Sequence, residues 1–237
     1  MCPIFKKGSQ IGNYRLTSQI CKLFETVVRD AIVPHLEGNT LLNHSQHGFR
    51  KGGSCLSNLL ELLNYVTENV DNHNSVVVIY LDFAEAADEV PHCRPLDKIN
   101  KHEMSGKVWN WLREWLHGRK QRVCINGHFS SWTDVTSSVP QGSVMGPVLF
   151  LIFINDIDSN LLCAISKFAD DTKLSNMVNS NKDRDLLQSD LQHLVEWSTK
   201  WQMPFNDTKC SVIHLGGNNQ KFDYFMGSHR LPRWRCR

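Results

Sequence analysis

An α+β fold, built on a small antiparallel sheet backed by helices, is what this sequence predicts, and three features carry the expectation. The run Val76 to Leu81, VVVIYL, is short, apolar and β-branched, as a strand buried on both faces should be. The segment ISKFADDTKL, residues 165–174, alternates apolar and polar residues on either side of Ala169, Asp170 and Asp171, the pattern of two short antiparallel strands with carboxylates at their turn. Several longer segments repeat apolar residues at helical spacing.

Taken in order, Ile20, Leu23, Phe24, Val27, Val28, Ala31 and Ile32 predict an amphipathic helix over about 18–36. A turn-rich patch over 38–53 contains QHGFRKGGS and leads to Ser54, the expected N-cap of a helix carrying Leu56, Leu59, Leu60, Leu63 and Val66. Asp82 falls at the end of the 76–81 strand. A carboxylate there can project from a rigid edge, whereas one inside the strand would meet a large desolvation cost. Val108, Trp109, Leu112, Trp115 and Leu116 share one side of a helix over 106–117, with the tryptophans expected in the core. RVCIN and FSSWTDV flank Asn126-Gly127, the strongest hairpin signal in the chain. The loop PQGSVMGP, from Pro140, hands over to an apolar helix ending near Asp156. A long polar helix over 182–201, with Leu186, Leu187, Leu191, Leu194, Val195 and Trp197 as its apolar set, precedes a strand at 210–215. Beyond Gly216 the pattern dissolves, and there is no internal repeat.

Composition narrows the function classes. The 237 residues are 41% apolar, enough for a sizeable core. Eight cysteines never form C-x-x-C, and the eleven histidines, His44 and His47 among them, show no zinc-ligand spacing, so the expectation is a reducing compartment without a zinc site. The N-terminus lacks a secretory h-region, and the longest apolar stretch, Val144 to Ile154, is far short of the roughly 20 residues of a spanning helix, so no membrane partner is expected. A net charge of +2 requires any nucleic-acid track to be local. Arg119, Lys120 and Arg122 form one basic cluster and Arg230, Arg233, Arg235 and Arg237 another, each read as solvated surface ahead of a set of phosphate contacts.

Acidic residues at two strand ends converge if the strands are neighbours in one sheet. Carboxylates 4 Å apart repel by about 1 kcal/mol in water and by several in a desolvated cleft, so such a cluster calls for cations. Oxygen-only ligands select hard ions, Mg2+ above all where phosphates share the coordination sphere. Two such ions about 3.5–4 Å apart support in-line phosphoryl displacement, the chemistry of polymerases and nucleases. An Asp-Asp pair alone is also a common turn sequence.

The ordered series NYR at 13–15, QHGFRKGGSC at 46–55, YLDF at 80–83, VPQGSVMGPVLFLIFINDI at 139–157, KFADDTKL at 167–174 and WQMPFNDTKC at 201–210 resembles the reverse transcriptases of non-long-terminal-repeat (LINE) retrotransposons, the jockey-like branch in particular. The resemblance runs from residue 3 to about 215. It implies a reverse-transcriptase-like fingers portion over 1–75, a palm with embedded fingers elements over 76–215 and a divergent tail over 216–237. The implied activity is RNA-directed DNA polymerase, with an RNA template, a DNA primer and dNTP as partners and two Mg2+ ions, or Mn2+, as cofactors. Asp82 and Asp170 would bind both metals, and Asp171 would help hold the primer-end site. Gln141 and Gly142 match the loop that lies against the incoming nucleotide, where the missing Cβ permits close approach. Arg50 matches a fingers arginine whose planar fork suits triphosphate oxygens, and Lys51 and Arg15 are further cationic candidates. Lys209 matches the lysine that would protonate departing pyrophosphate. The implied location is intracellular, in nucleus or cytoplasm, and the oligomeric state is left open.

The sequence departs from the family at several points. NYR runs straight into Leu16-Thr17-Ser18 where relatives continue with a PVSL-like segment, which shortens a fingers strand. An endonuclease before the matched region and a thumb after it are expected in full-length relatives, and neither is found in this sequence. A catalytically inactive nucleic-acid-binding remnant and a metal-dependent nuclease are therefore kept as alternatives. The family's DFSKAFD reads DFAEAAD here, which puts Ala87 where an aromatic ring would exclude the ribose 2′-hydroxyl. Weakened discrimination against ribonucleotides is the expected outcome in single-nucleotide incorporation assays, and undiminished sugar selectivity would refute the assignment of Ala87.

Overall fold

The structure, a computed structural model, describes residues 2–5, 14–17, 19–84, 96, 98–99, 106–125, 127–135 and 142–234. In chain order these form β1 (Cys2–Phe5), β2 (Tyr14–Thr17), α1 (Gln19–Gly38), α2 (Cys55–Asp71), β3 (Val76–Leu81), α3 (Lys107–Leu116) and the two-residue strands β4 (Lys120–Gln121), β5 (Cys124–Ile125), β6 (His128–Phe129) and β7 (Thr133–Asp134). There follow α4 (Met145–Ile154), β8 (Ala164–Phe168), β9 (Asp171–Met177), α5 (Asn181–Trp201), β10 (Ser211–Leu215), β11 (Phe225–Met226) and β12 (His229–Arg230). Among the described residues no helix is long and apolar enough to cross a membrane. The chain divides into two compact units, one of residues 1–42 and 87–153, the other of 43–86 and 154–237.

The second unit is organised by a four-stranded antiparallel sheet in the order β10-β3-β9-β8. Val76, Val77, Val78 and Ile79 are buried in the central β3, as its unbroken β-branched run predicts. On one face lies α2, capped by Ser54, whose hydroxyl accepts from the Ser57 N–H while the Ser57 side chain receives the Ser54 N–H. The leucines of the apolar set do not set the rotation of this helix. Leu56, Leu59, Leu60 and Leu63 are exposed, while Asn58 and Leu62 are buried with Tyr65, Val66 and Val70 half-buried beside them. The cause is polar: the Asn58 side chain donates to Ser166 Oγ on β8 at 2.5 Å and accepts from Lys173 Nζ on β9.

The same pattern recurs in α5, which buries Leu187, Leu191 and Leu194 together with Asp190. Asp190 Oδ2 accepts the N–H groups of Leu162 (2.8 Å) and Cys163 (2.6 Å) and so fixes the entry into β8. Residues past Gly216 are built into the unit rather than patternless. β11 and β12 form a hairpin, Tyr224 and Leu231 are buried, and the outer edge of β10 is covered where Val212 bonds to Pro232 O and Trp234 N–H bonds to Val212 O. Both Arg230 and Arg233 reach Asp223 at 2.7 Å, so half of the C-terminal basic cluster is internally paired.

In the first unit, α1, α3 and α4 share a core of Ile32, Leu36, Leu112, Leu116, Met145, Leu149 and Ile152, against which Trp109, Trp111 and Trp115 are only half-buried. The early apolar residues of α1, Ile20, Leu23, Phe24 and Val27, are exposed, and Glu25 points inward instead. Its carboxylate accepts from the N–H groups of Val144 (2.6 Å) and Met145 (3.2 Å), capping the N-terminus of α4. The Gly127 turn joins β5 to β6, with β4 pairing β7 further out, as the hairpin signal predicts. The first basic cluster is engaged locally: Lys120 meets Asp134 at 3.4 Å, and the Arg122 guanidinium lies over the Phe129 and Trp132 rings.

Leu62→Ala is expected to cost about 2–5 kcal/mol in urea unfolding, because Leu62 is only 6% exposed. Leu60→Ala, at a position 48% exposed on the same helix, should stay within about 0.5 kcal/mol. Equal effects would mean that α2 is rotated differently on its sheet.

Candidate active site

Antiparallel pairing of β3 with β9 ends at Leu81↔Thr172, and the next residues in register are Asp82 and Asp171. Asp170 occupies the turn between β8 and β9 together with Ala169. Burial, and then the neighbouring charges of Asp170 and Asp82, push the Asp171 carboxyl above the ordinary carboxylate range, with Lys173 opposing. The sheet thus gathers three acidic residues from two distant motifs.

The backbone after β3 is pinned by the segment 204–210. Asn206 N–H donates to Asp82 O at 2.7 Å, Ala84 N–H donates to Pro204 O at 2.8 Å, and the Phe83 and Phe205 rings stack with centroids 4.3 Å apart. Cys210 Sγ accepts the Asp82 N–H at 3.3 Å, and burial pushes this thiol up to about 11. Lys209, from the same segment, places Nζ 3.4 Å from Asp82 Oδ1.

The carboxylate turn carries a residue in an unusual conformation. Ala169 has φ 56°, a left-handed backbone that costs a residue with a Cβ roughly 1–2 kcal/mol. The compensation comes from Gln46, which lies within QHGFRKGGSC and to which the sequence alone gives no role. Gln46 is 4% exposed; its Oε1 accepts from Ala169 N–H (2.9 Å) and Gly48 N–H (2.8 Å), and its Nε2 donates to Ala169 O (3.3 Å). Local sequence does not mark this glutamine for the role, since the two bonds that hold the turn go to backbone atoms of Ala169, 123 residues away.

Arg50 lies in the same loop, but its guanidinium is engaged: Nη1 donates to Asn43 O (2.6 Å) and Gln46 O (3.4 Å), bracing the loop from within. Lys51 is exposed in the adjoining turn. Gly142 belongs to the other compact unit, where it has φ 83°, the left-handed region that glycine enters without strain. Gln141 and Ala87 lie outside the described residues.

The donor set is oxygen only and its field is negative, which suits a hard divalent cation. As the side chains stand, among the described residues no three metal-ligating groups converge on one point, and Asp82 is turned to Lys209. An exposed ion pair of this kind contributes about 0–1 kcal/mol. A cation of higher charge would therefore compete for Asp82 with little penalty.

A four-stranded antiparallel sheet backed by helices, with Asp82 and Asp171 next in register at neighbouring strand ends and Asp170 in the adjoining turn, gives the chain a reverse-transcriptase-like fold. The chain belongs to the reverse transcriptase family: the family model described as reverse transcriptase (RNA-dependent DNA polymerase) matches residues 4–228, so the match extends into the β11–β12 hairpin. It is a domain of non-long-terminal-repeat retrotransposon origin. It is 29% identical over 228 residues to the RNA-directed DNA polymerase from mobile element jockey of Drosophila funebris, covering 89% of this chain and 24% of that protein. It is 28% identical over 217 residues to the probable RNA-directed DNA polymerase from transposon X-element of Drosophila melanogaster, covering 88% of this chain and 24% of that protein. The chain thus spans about a quarter of the length of these relatives. Among solved structures, telomerase of Candida tropicalis in complex with a TWJ fragment of telomeric RNA superposes with TM-score 0.58 at 13% identity, over 88% of this chain and 35% of that one. The apo telomerase truncated from its C-terminal domain, from the same organism, gives 0.55 at 13% identity over 87% and 41%. These likenesses extend the shared fold beyond recognisable sequence identity.

The raised Asp171 carboxyl has a consequence for stability. Its folded value lies above the ordinary 3.8, so the folded chain holds the proton more tightly than the unfolded one. The stabilisation is fully present below 3.8 and is lost as pH rises through the folded value. Asp171→Asn should therefore stabilise the fold at pH 7 in cation-free buffer by no more than about 1 kcal/mol after solvent screening, read as a raised Tm, with the gain vanishing in strong acid. A lower Tm at pH 7 would contradict the assignment of repulsion to this cluster.

Proposed function

We propose that the chain is the fingers-and-palm portion of an RNA-directed DNA polymerase that extends a DNA primer on an RNA template by two-metal nucleotidyl transfer from dNTP. The observation carrying this reading is the β3–β9 register, which sets Asp82 beside Asp171 and the Asp170 turn. Asp82, Asp170 and Asp171 would hold two Mg2+ ions, with Mn2+ as a substitute. The bound ions would stabilise the attacking 3′-oxygen and the leaving phosphate oxygens as Lewis acids.

Each remaining step falls to the chain's own residues. The primer 3′-hydroxyl gives up its proton to water as its oxygen bonds to the α-phosphorus, the bond from that phosphorus to the α,β-bridging oxygen breaks, and pyrophosphate departs. Lys209, exposed and 3.4 Å from Asp82, would donate a proton to that leaving group. Gly142 would let its loop approach the nucleotide, with Gln141 and Ala87 against base and sugar. Arg50 and Lys51 would meet the triphosphate, Arg50 exchanging its bonds to backbone carbonyls for phosphate oxygens.

The test is primer extension on an RNA template with Mg2+ or Mn2+, using the double variant Asp170→Asn/Asp171→Asn as control. Extension by the parent chain that is abolished in the variant is the expected result. Template binding that persists in both without extension would replace this reading with a non-catalytic nucleic-acid-binding remnant. Cleavage without added deoxynucleotides would point to a nuclease.

A further inference from the structure

We infer that Gln46 is a positioning residue for the carboxylate turn: its side-chain amide holds Ala169 in the left-handed conformation from which Asp170 and Asp171 project, and thereby sets their affinity for divalent cation. The inference rests on the reading of these aspartates as the metal site.

Four observations carry it. The Gln46 side chain makes three hydrogen bonds, two of them to the N–H and C=O of the same residue, Ala169, so it holds the two peptide units on either side of the Ala169 Cα. Gly48 packs directly on the turn, where an added Cβ would lie 2.5 Å from Ala169 N. The loop bearing both residues is joined to β8 as an added ladder, with Lys167 N–H donating to Ser45 O (2.7 Å), His47 N–H to Lys167 O (2.8 Å) and a parallel bridge at Gln46↔Lys167. Beneath it, buried Asp158 accepts from Ser45 Oγ (2.5 Å) and pairs with the fully buried Lys167 Nζ (3.0 Å).

The grip matters because of what it holds. Carboxylates that repel one another would open the turn unless its backbone were fixed. Within the turn itself the described support is modest, a bond from Thr172 Oγ1 to Asp170 O at 3.2 Å. A buried amide from outside can fix the turn without adding charge, whereas a cationic side chain there would compete with the metal. Groups that orient metal ligands typically change affinity by about 10–100-fold when removed.

The test uses the full chain in two measurements. Amide hydrogen exchange by NMR in cation-free buffer reports the turn, and Mn2+ titration followed by electron paramagnetic resonance reports the site. In the parent chain Ala169 N–H should exchange as slowly as the β8–β9 ladder amides, and exchange at a loop rate would overturn the proposal before any variant is made. Gln46→Met, which removes all three bonds, should speed Ala169 exchange about tenfold while leaving Ile79 in β3 unchanged. It should also weaken Mn2+ binding about 10–100-fold. Gln46→Glu, which keeps the acceptor, should give intermediate exchange. Equal acceleration at Ala169 and Ile79, or Mn2+ affinity within twofold of the parent, would reduce Gln46 to a structural residue and refute the proposal. Failure of the parent to bind Mn2+ would instead refute the metal reading, and the exchange data alone would then decide whether Gln46 sets the turn.

Discussion

Like-charged side chains have to be held together here, and the pairing of β3 with β9 is the interaction that does it. A shift of one residue in that register would turn Asp82 to the other face of the sheet and return it to solvent or to a core that cannot accept it. The register is secured by burial on both faces of β3, whose valines and Ile79 leave no alternative alignment without exposing apolar area. Hydrophobic burial in the centre of the sheet thus sustains electrostatic repulsion at its end.

The second requirement is that the ends of the strands stay ordered where the ladder stops. Two segments do this from opposite sides. The 204–210 segment bonds to the backbone of Asp82 and Ala84 and stacks Phe205 on Phe83. The Ser45–Gly48 segment bonds to Lys167 and Ala169. Both are loops, and both fall in blocks that the family resemblance picks out. Their backbone contacts tie motifs remote in sequence to the strand ends that carry the aspartates.

Much of this was legible in the sequence. Strands at 76–81 and 211–215, the carboxylate hairpin, the Ser54 cap and the Gly127 hairpin all follow from local chemistry, and they appear close to their expected bounds. Local signals fail where a polar side chain faces inward. Glu25 in α1, Asn58 in α2 and Asp190 in α5 are all buried, and each bonds to a group far away in the chain. Periodicity treats such residues as solvent-facing and does not foresee that Leu56, Leu59, Leu60 and Leu63 around Asn58, and Ile20, Leu23, Phe24 and Val27 around Glu25, are exposed.

These three residues share a mechanism that also explains Gln46. A buried polar group is tolerated only when its hydrogen bonds are satisfied, and satisfying them fixes position more narrowly than apolar contact does. Leucine against valine has no donor–acceptor geometry to keep and can shift at smaller cost. Glu25 on two N–H groups at the start of α4 cannot, nor can Asp190 on the N–H groups of Leu162 and Cys163. Apolar periodicity therefore supplies the cohesion of each helix, and one polar residue supplies its rotation. Gln46 extends this division of labour to a loop. The apolar sheet creates the place for the carboxylates, and a neutral buried amide, bonded at both the N–H and the C=O of Ala169, holds the turn that presents them.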